Sequence, residues 1–228
     1  MWQRGTSFTG TNTYSSDRWK IDYDGTGTRT VSQQTFAPGT APVSGYESTY
    51  FFRWNQAATT GQTYAAFAQR IEDVRVYAGQ TVTLSFWAKA DATRTVTPHV
   101  GQNFGTGGSS YVDTSGTTIS LTTSWTRYTQ TFAVPNISGK TIGTSSYLEV
   151  YFNFALNTAQ IVDFWGMQLE AGSTATGFQT ATGTVQGELD ACQRYYWRAI
   201  AGSSYQPFAS GFATSSSCLL YTSDAADE

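Results

Sequence analysis

The run Gly79–Ala90, Gly-Gln-Thr-Val-Thr-Leu-Ser-Phe-Trp-Ala-Lys-Ala, constrains the backbone more than any other stretch of this chain. Val82, Leu84, Phe86 and Ala88 fall on one side of a period-two alternation; Thr81, Thr83, Ser85, Trp87 and Lys89 fall on the other. Side chains repeat every two residues only in an extended strand, so this pattern predicts a strand with one apolar face. The polar face carries one large flat ring, Trp87. Tyr147–Phe154 repeats the pattern, with Leu148, Val150, Phe152 and Phe154 opposed to Tyr147, Glu149, Tyr151 and Asn153.

Shorter stretches carry the same signal. Strands are predicted at 19–23, 28–36, 49–54, 95–100, 117–121, 125–134 and 161–170, punctuated by turn pairs such as Asp24-Gly25 and Pro38-Gly39. Helix and strand compete over 65–75, because Phe67, Ile71 and Val74 also suit helical spacing; a strand to Ile71 and a tight turn through Glu72-Asp73 is the reading favoured. Pro98 has no N–H to give to a ladder, which places it at an edge or a bulge. Ile161, Asp163, Trp165, Met167 and Leu169 put one acid among apolar residues on one face, which predicts a bulge. Some ten short strands with no βαβ pattern predict an all-β, antiparallel β-sandwich. The composition shifts after Ala171. Residues 1–172 are expected to form the sandwich and 173–187 a linker. Residues 188–217 read as the truncated start of a further module, opening with a short helix that bears Leu189, Cys192 and Tyr196.

Charged residues make up only 13% of the 228, against aromatics at 15%. Such a chain is too aromatic to be disordered. One His and two Cys supply neither a zinc cluster nor a disulfide framework. The last eleven residues, Cys218–Glu228, resemble the in-frame translation of a transposase-based sequencing adapter, as in a metagenomic assembly. That resemblance implies an artefact and a gene extending past both ends. Without Asp224, Asp227 and Glu228 the acids number 13 against 13 Lys and Arg. A neutral chain gives no electrostatic case for nucleic acid or an anionic membrane. The opening residues hold no apolar run long enough for a signal peptide or a membrane span.

Several runs in order resemble the jelly-roll domains of bacteriophage tail fibre and tail-associated proteins. These are Trp2–Phe8, Asp17–Trp19, Gln69–Val74, Gly79–Ala90, Gln168–Gly172 and Cys192–Tyr196. The same domain is similar to carbohydrate-binding modules of xylanases and cellulases, within the galactose-binding-like superfamily. The resemblance implies a jelly roll, sugar binding, a virion or secreted location, other tail fibre chains as partners in a homotrimer, and a structural calcium. It also implies an earlier strand before Trp2 that this sequence lacks.

Sugars pack their C–H faces on aromatic rings and offer hydroxyls to planar polar groups. Trp87 and Tyr151 are therefore candidate platforms, with His99, Glu149 and Asn153 as hydrogen-bonding partners in a glycan groove. The opposing possibility is that loop 37–48 or 101–116 covers the two rings. For calcium, which takes about six to eight oxygens, Asp17, Asp22, Asp24 and Asp163 are donors by type, without a loop motif. Catalysis is not expected: a nucleophilic triad needs a base beside Ser or Cys, only His99 exists to serve, and it has no Cys, His or acidic cluster near it in the sequence; Glu149, Asp163 and Glu170 show no pairing of the kind a glycosidase needs. Three functions remain open at this level. They are a non-enzymatic tail fibre module contacting host glycans, a ligand-free structural spacer, and an accessory carbohydrate-binding module of a secreted glycoside hydrolase.

Overall fold

A computed structural model describes residues 2, 4–16, 18–180, 182–194, 211–215 and 218–221, the last two segments as backbone. The chain divides into two compact units, residues 1–196 and 197–228. The first is an antiparallel β-sandwich of jelly-roll type. Its strands are β1 (Ser7–Phe8), β2 (Thr13–Tyr14), β3 (Trp19–Tyr23), β4 (Arg29–Thr35), β5 (Tyr50–Gln56), β6 (Ala65–Glu72) and β7 (Thr81–Ala90). They continue with β8 (Arg94–Asn103), β9 (Val112–Ser115), β10 (Ile119–Leu121), β11 (Thr126–Ala133), β12 (Tyr147–Phe154) and β13 (Gln160–Ala171). A helix, α1 (Val185–Gln193), follows, capped by the Thr184 hydroxyl accepting from the Gly187 amide. The second unit contains a hairpin, β14 (Gly211–Ser215) with β15 (Cys218–Tyr221).

Sheet A runs β1-β4-β5-β13-β7-β11, and sheet B runs β10-β8-β12-β6-β3-β2, with β9 also paired to β8. The alternation seen in the sequence now has a physical cause. Val82, Leu84, Phe86 and Ala88 of sheet A meet Leu148, Val150, Phe152 and Phe154 of sheet B in one core. Aromatic rings carry much of its contact: Phe52 stacks on Phe67 at 3.7 Å, Trp54 on Phe154 at 4.2 Å and Trp19 on Phe67 at 4.3 Å. Burying each such ring contributes about 1.5–3 kcal/mol, which is what fixes the register.

The two irregular positions follow the sequence. The register of β13 on β7 shifts between Trp165 and Gln168, where Gly166 has φ +62°. Before the bulge Val162 and Phe164 face the core and Trp165 faces away; after it Met167 and Leu169 pack inward. One inserted residue inverts the face, which is why Asp163 and Met167 shared a parity in the sequence but not a side in the fold. Pro98 lies where β8 passes from β10, which pairs Arg94–Val96, to β9, which pairs His99–Gln102. The missing N–H therefore falls at a break between two short strands. The 65–72 segment is a strand, closed by Asp73 at φ +71°.

A second apolar cluster sits on the outer face of sheet A. Phe36, Phe51 and Trp165 pack with Trp87, Trp125, Ala41, Val43 and Phe178. Loop 37–48 contributes Val43 and also Tyr46, 5.8 Å from Trp165; Phe178, from the stretch expected as a linker, reaches Trp165 at 4.6 Å. Sheet A is thus roofed by its own chain. The outer face of sheet B carries the polar alternates of β8 and β12, His99, Glu149 and Asn153.

Candidate functional site

The five residues singled out as a glycan groove do not share one face. His99 lies on β8 and Glu149, Tyr151 and Asn153 on β12, all on the outer side of sheet B. Trp87 lies on β7 in sheet A, between β13 and β11. The expectation of one groove holding all five is corrected: the core separates Trp87 from Tyr151. A Cβ placed on Gly166 would stand 3.1 Å from the Trp87 ring and 3.3 Å from Phe178. Trp87 is a packing piece of the roofed cluster.

His99, Tyr151 and Asn153 form one bonded group with Asp113 of β9, and Glu149 a second with Arg70 of β6. His99 and Tyr151 are directly opposite in the ladder and their rings stack at 4.5 Å, 12° apart. Asp113 of β9 joins them: its carboxylate accepts from the Tyr151 hydroxyl at 2.8 Å and lies 2.9 Å from His99 Nδ1. The Asn153 amide lies 3.1 Å from His99 Nε2. An imidazole with its proton on Nδ1, donating to Asp113 and accepting from Asn153, satisfies both contacts. The two rings are held in a fixed plane by bonds at both edges.

The next row of the ladder adds charge. Glu149 is opposite Arg70 of β6 and Gly101 of β8. Arg70 Nε donates to Glu149 at 3.1 Å, and its guanidinium lies 4.3 Å over the Tyr147 ring. The Asn103 amide donates to the Tyr147 hydroxyl at 3.1 Å. Burial lowers the Arg70 affinity for its proton, but the Glu149 bond and charge outweigh it, so Arg70 is held more firmly cationic. Burial, followed by nearby carboxylates, pushes the phenols of Tyr111 and Tyr147 upward; burial and the Tyr111 and Asp113 neighbours do the same to Tyr151. All three remain neutral donors at neutral pH.

Tyr111 is the residue the sequence reading missed. It precedes β9, outside any alternation, and its ring lies across Gly101: a Cβ there would be 1.7 Å from the Tyr111 hydroxyl. The glycine within a strand was the available signal, since it marks a close approach. Tyr111 is 42% exposed. Tyr14 and Tyr64 are also exposed on this side, Tyr14 opposite Lys20 of β3 and Tyr64 with its hydroxyl 3.4 Å from Asp22. Between β3 and β12 this face is lined by the small residues Ala66 and Ala68.

Of the four aspartates weighed for calcium, the three that are described, Asp22, Asp24 and Asp163, do not converge as a cage. Asp163 belongs to the outer side of sheet A, where Arg53 grips both its oxygens at 2.7 and 2.8 Å and Lys89 stands at 3.8 Å. Asp24 accepts from the Thr63 and Tyr64 amides and from the Thr63 hydroxyl, which holds its carboxyl below the usual range. Asp22 pairs with Lys20 at 3.5 Å. Asp17 lies outside the described residues. Among the described residues no three His, Cys, Asp or Glu side chains converge as a metal would require. Of the carboxylates weighed for catalysis, Glu149 is engaged by Arg70, Asp163 by Arg53, and Glu170 by the Thr176 hydroxyl and amide.

Residues 35–155 match a family model described as a carbohydrate binding domain. That span runs from the end of β4 through β12 and includes Arg70, His99, Gly101, Tyr111, Asp113, Glu149, Tyr151 and Asn153. No curated protein matches the chain. Among solved structures it is similar to the enzymatically active domain of bacteriophage CBA120 tailspike protein 4, at 21% identity and a TM-score of 0.47, over 68% of this chain and 19% of that one. It thus spans about a fifth of the tailspike chain. It is also similar to the CBM22-2 xylan-binding domain of Paenibacillus barcinonensis Xyn10C (19% identity, TM-score 0.44, 68% of this chain and 92% of that one). A third likeness is the N-terminal cellulose-binding domain of Cellulomonas fimi β-1,4-glucanase C, at 22% identity and a TM-score of 0.42, over 56% of this chain and 82% of that one. Among the described residues no helix is long and apolar enough to cross a membrane.

Proposed function

We propose that this chain, which belongs to the carbohydrate binding domain family, is a non-enzymatic module that holds a glycan on the outer face of sheet B. One observation carries the reading. The polar and aromatic network of that face, from Arg70 through Tyr111 and Asp113 to Asn153, lies within the residues that match the family and is not roofed by the loops that cover sheet A. Tyr111 offers an exposed ring to the C–H face of a sugar, lying across Gly101 two residues along β8 from His99. Asn153, Glu149, Arg70 and Asp113 offer planar donors and acceptors to its hydroxyls. Sites of this kind hold a few polar groups in preset positions so that little ordering is left to binding. Each carboxylate of the face is already engaged with a cation, an imidazole or a phenol, an arrangement suited to recognition rather than to proton transfer.

The setting we propose is a phage tail fibre or related virion protein, supported by the ordered runs 2–8, 69–74, 79–90 and 168–172. The second reading, an accessory module of a secreted glycoside hydrolase, is favoured by the family match itself. In either setting the module works outside the cell.

The test is a glycan-array screen of the folded chain beside Tyr111→Ala and Trp87→Phe. Binding is expected in the wild type, to fall about tenfold in Tyr111→Ala, and to persist in Trp87→Phe, which keeps the packing of sheet A. A folded chain that binds no glycan, or binding abolished by Trp87→Phe and untouched by Tyr111→Ala, overturns the reading.

A further inference from the structure

The chain holds a single histidine, His99, and it stands between two side chains that differ in what they can offer it. Asp113 Oδ2 lies 2.9 Å from Nδ1, and the Asn153 amide lies 3.1 Å from Nε2. We infer that Asp113 and His99 are positioning residues for glycan specificity: through the tautomer of the imidazole they hold the Asn153 amide with its oxygen turned to the sugar, so that it accepts a hydrogen bond from a sugar hydroxyl. The inference rests on the reading of sheet B as the glycan face.

The hydrogen bonds run with one consistent polarity. An ionised carboxylate only accepts, so Nδ1 carries the ring proton. A neutral imidazole then has a bare Nε2 that only accepts, so Asn153 meets it with its NH2 group. Nothing else decides the sense of that amide. Asn153 makes no other hydrogen bond among the described residues. Its cross-strand neighbours are Ala66, which has no polar side-chain atom, and Thr97, whose hydroxyl is paired with that of Thr118 at 2.9 Å. The Asn153 side chain is half-buried, and its oxygen is not one of the sealed polar atoms left without a partner, so it opens onto the outer face of sheet B. The imidazole is 8% exposed, is stacked on Tyr151, and cannot turn over without breaking both of its bonds.

Two changes reverse this polarity. Asp113 also accepts from the Tyr151 hydroxyl through Oδ1. In Asp113→Asn the new amide keeps its oxygen there and sets its NH2 group against Nδ1. The ring proton then moves to Nε2, and the Asn153 amide turns over with its donor outward. A second proton on the ring has the same effect, because Nε2–H needs an acceptor. The titratable groups around the ring are Asp113 from β9, Tyr151 and Glu149 from β12, Tyr111 ahead of β9, and Arg70 of β6, which is bonded to Glu149. Burial keeps the two phenols neutral, and Glu149 keeps Arg70 cationic. An imidazole is the side chain that ordinarily changes charge between about pH 5 and 8.

Long-range proton–nitrogen NMR of the full chain reads the ring directly, with one histidine to assign. At about pH 8 the wild type should show the Nδ1–H tautomer and Asp113→Asn the Nε2–H tautomer. Calorimetric titrations use xylohexaose and cellohexaose, and the strongest neutral array hit where neither binds. Affinity should fall about fivefold in Asp113→Asn, the size of one neutral hydrogen bond. Wild-type affinity should fall by a similar factor as the ring takes its second proton, followed by NMR in the same samples. The double change Asp113→Asn, Asn153→Asp turns an oxygen to the sugar in either state of the ring. Its affinity should return to within about twofold of the wild type and lose the pH dependence. If Asp113→Asn fails to fold by circular dichroism, the wild-type tautomer and pH profile decide. A wild-type ring with its proton on Nε2 at about pH 8 overturns this inference alone. So does a wild-type affinity that ignores protonation of the ring, an affinity unchanged in Asp113→Asn, or a folded double variant as weak as the single one. A folded chain that binds no glycan overturns this inference and the glycan reading together.

Discussion

Replacing Gly101 by alanine tests whether Tyr111 is held where the glycan reading needs it. Gly101 is in β8 with ordinary extended backbone, so alanine meets no conformational penalty there; its methyl group instead meets Tyr111. The new carbon would stand 1.7 Å from the hydroxyl oxygen, 2.4 Å from Cζ and 3.0 Å from Cε2. Contact distances begin near ~3.5 Å, so the ring must leave the strand. Moving a ring that is 42% exposed into full solvent uncovers about 60–100 Å² of mostly apolar surface, worth about 1.5–2.5 kcal/mol. Against this, alanine in a strand interior is favoured over glycine by about 0.5–1 kcal/mol. The net expectation is a destabilisation of about 1 kcal/mol and a loss of affinity for any glycan that rests on Tyr111. Urea unfolding followed by tryptophan fluorescence measures the first, and titration with an array hit measures the second. The decisive comparison is the same substitution in a Tyr111→Ala background. With the ring gone, Gly101→Ala should stabilise the chain by a few tenths to about 1 kcal/mol, a reversal of sign. Equal destabilisation with and without Tyr111 would refute the account, because the methyl group would then be clashing elsewhere.

Trp87→Ala should cost about 2–3 kcal/mol in urea unfolding, because it empties the cluster around Trp165 and Phe178, while leaving glycan affinity within about twofold. Asp163→Ala leaves Arg53 and Lys89 facing each other without the carboxylate that Arg53 grips, at a position 3% exposed. We expect a loss of about 3 kcal/mol, largely restored by the double change Arg53→Met, Asp163→Leu, and measured by the same unfolding curves. Asp91 is held down to about 2 from 3.8, first by Arg94, against burial, and then by the Ile161 amide. Its contribution is therefore complete above pH 3.8 and lost as the pH falls toward 2. Since the side chain is 34% exposed, solvent screening leaves about 1 kcal/mol or less. Asp91→Asn should flatten the acid limb of a stability-versus-pH curve by that amount, and an unchanged limb would remove Asp91 from the account.

That His99, Glu149, Tyr151 and Asn153 point away from the core was legible in the chain by parity, and they share one face because β8 and β12 pair directly. Their essential partners were not legible. Asp113 and Tyr111 come from a segment read as loop, and Arg70 from a stretch where helix and strand competed, so neither had a face until its neighbours were known. A cleft at one end of sheet B draws Arg4, Tyr14 and Arg18 from short strands and turns with no periodicity at all.

The division has one physical basis. A strand repeats its side chains every two residues whatever it pairs with, so Val82 to Ala88 and Leu148 to Phe154 were bound to be core from the sequence alone, and the antiparallel sandwich followed from their number. Parity says inside or outside, but not which of two outsides. Whether β7 joined β13 or β8 was decided by long-range pairing and by the bulge at Gly166, and those placed Trp87 under a roof of loops on one side of the core and Tyr151 on the other.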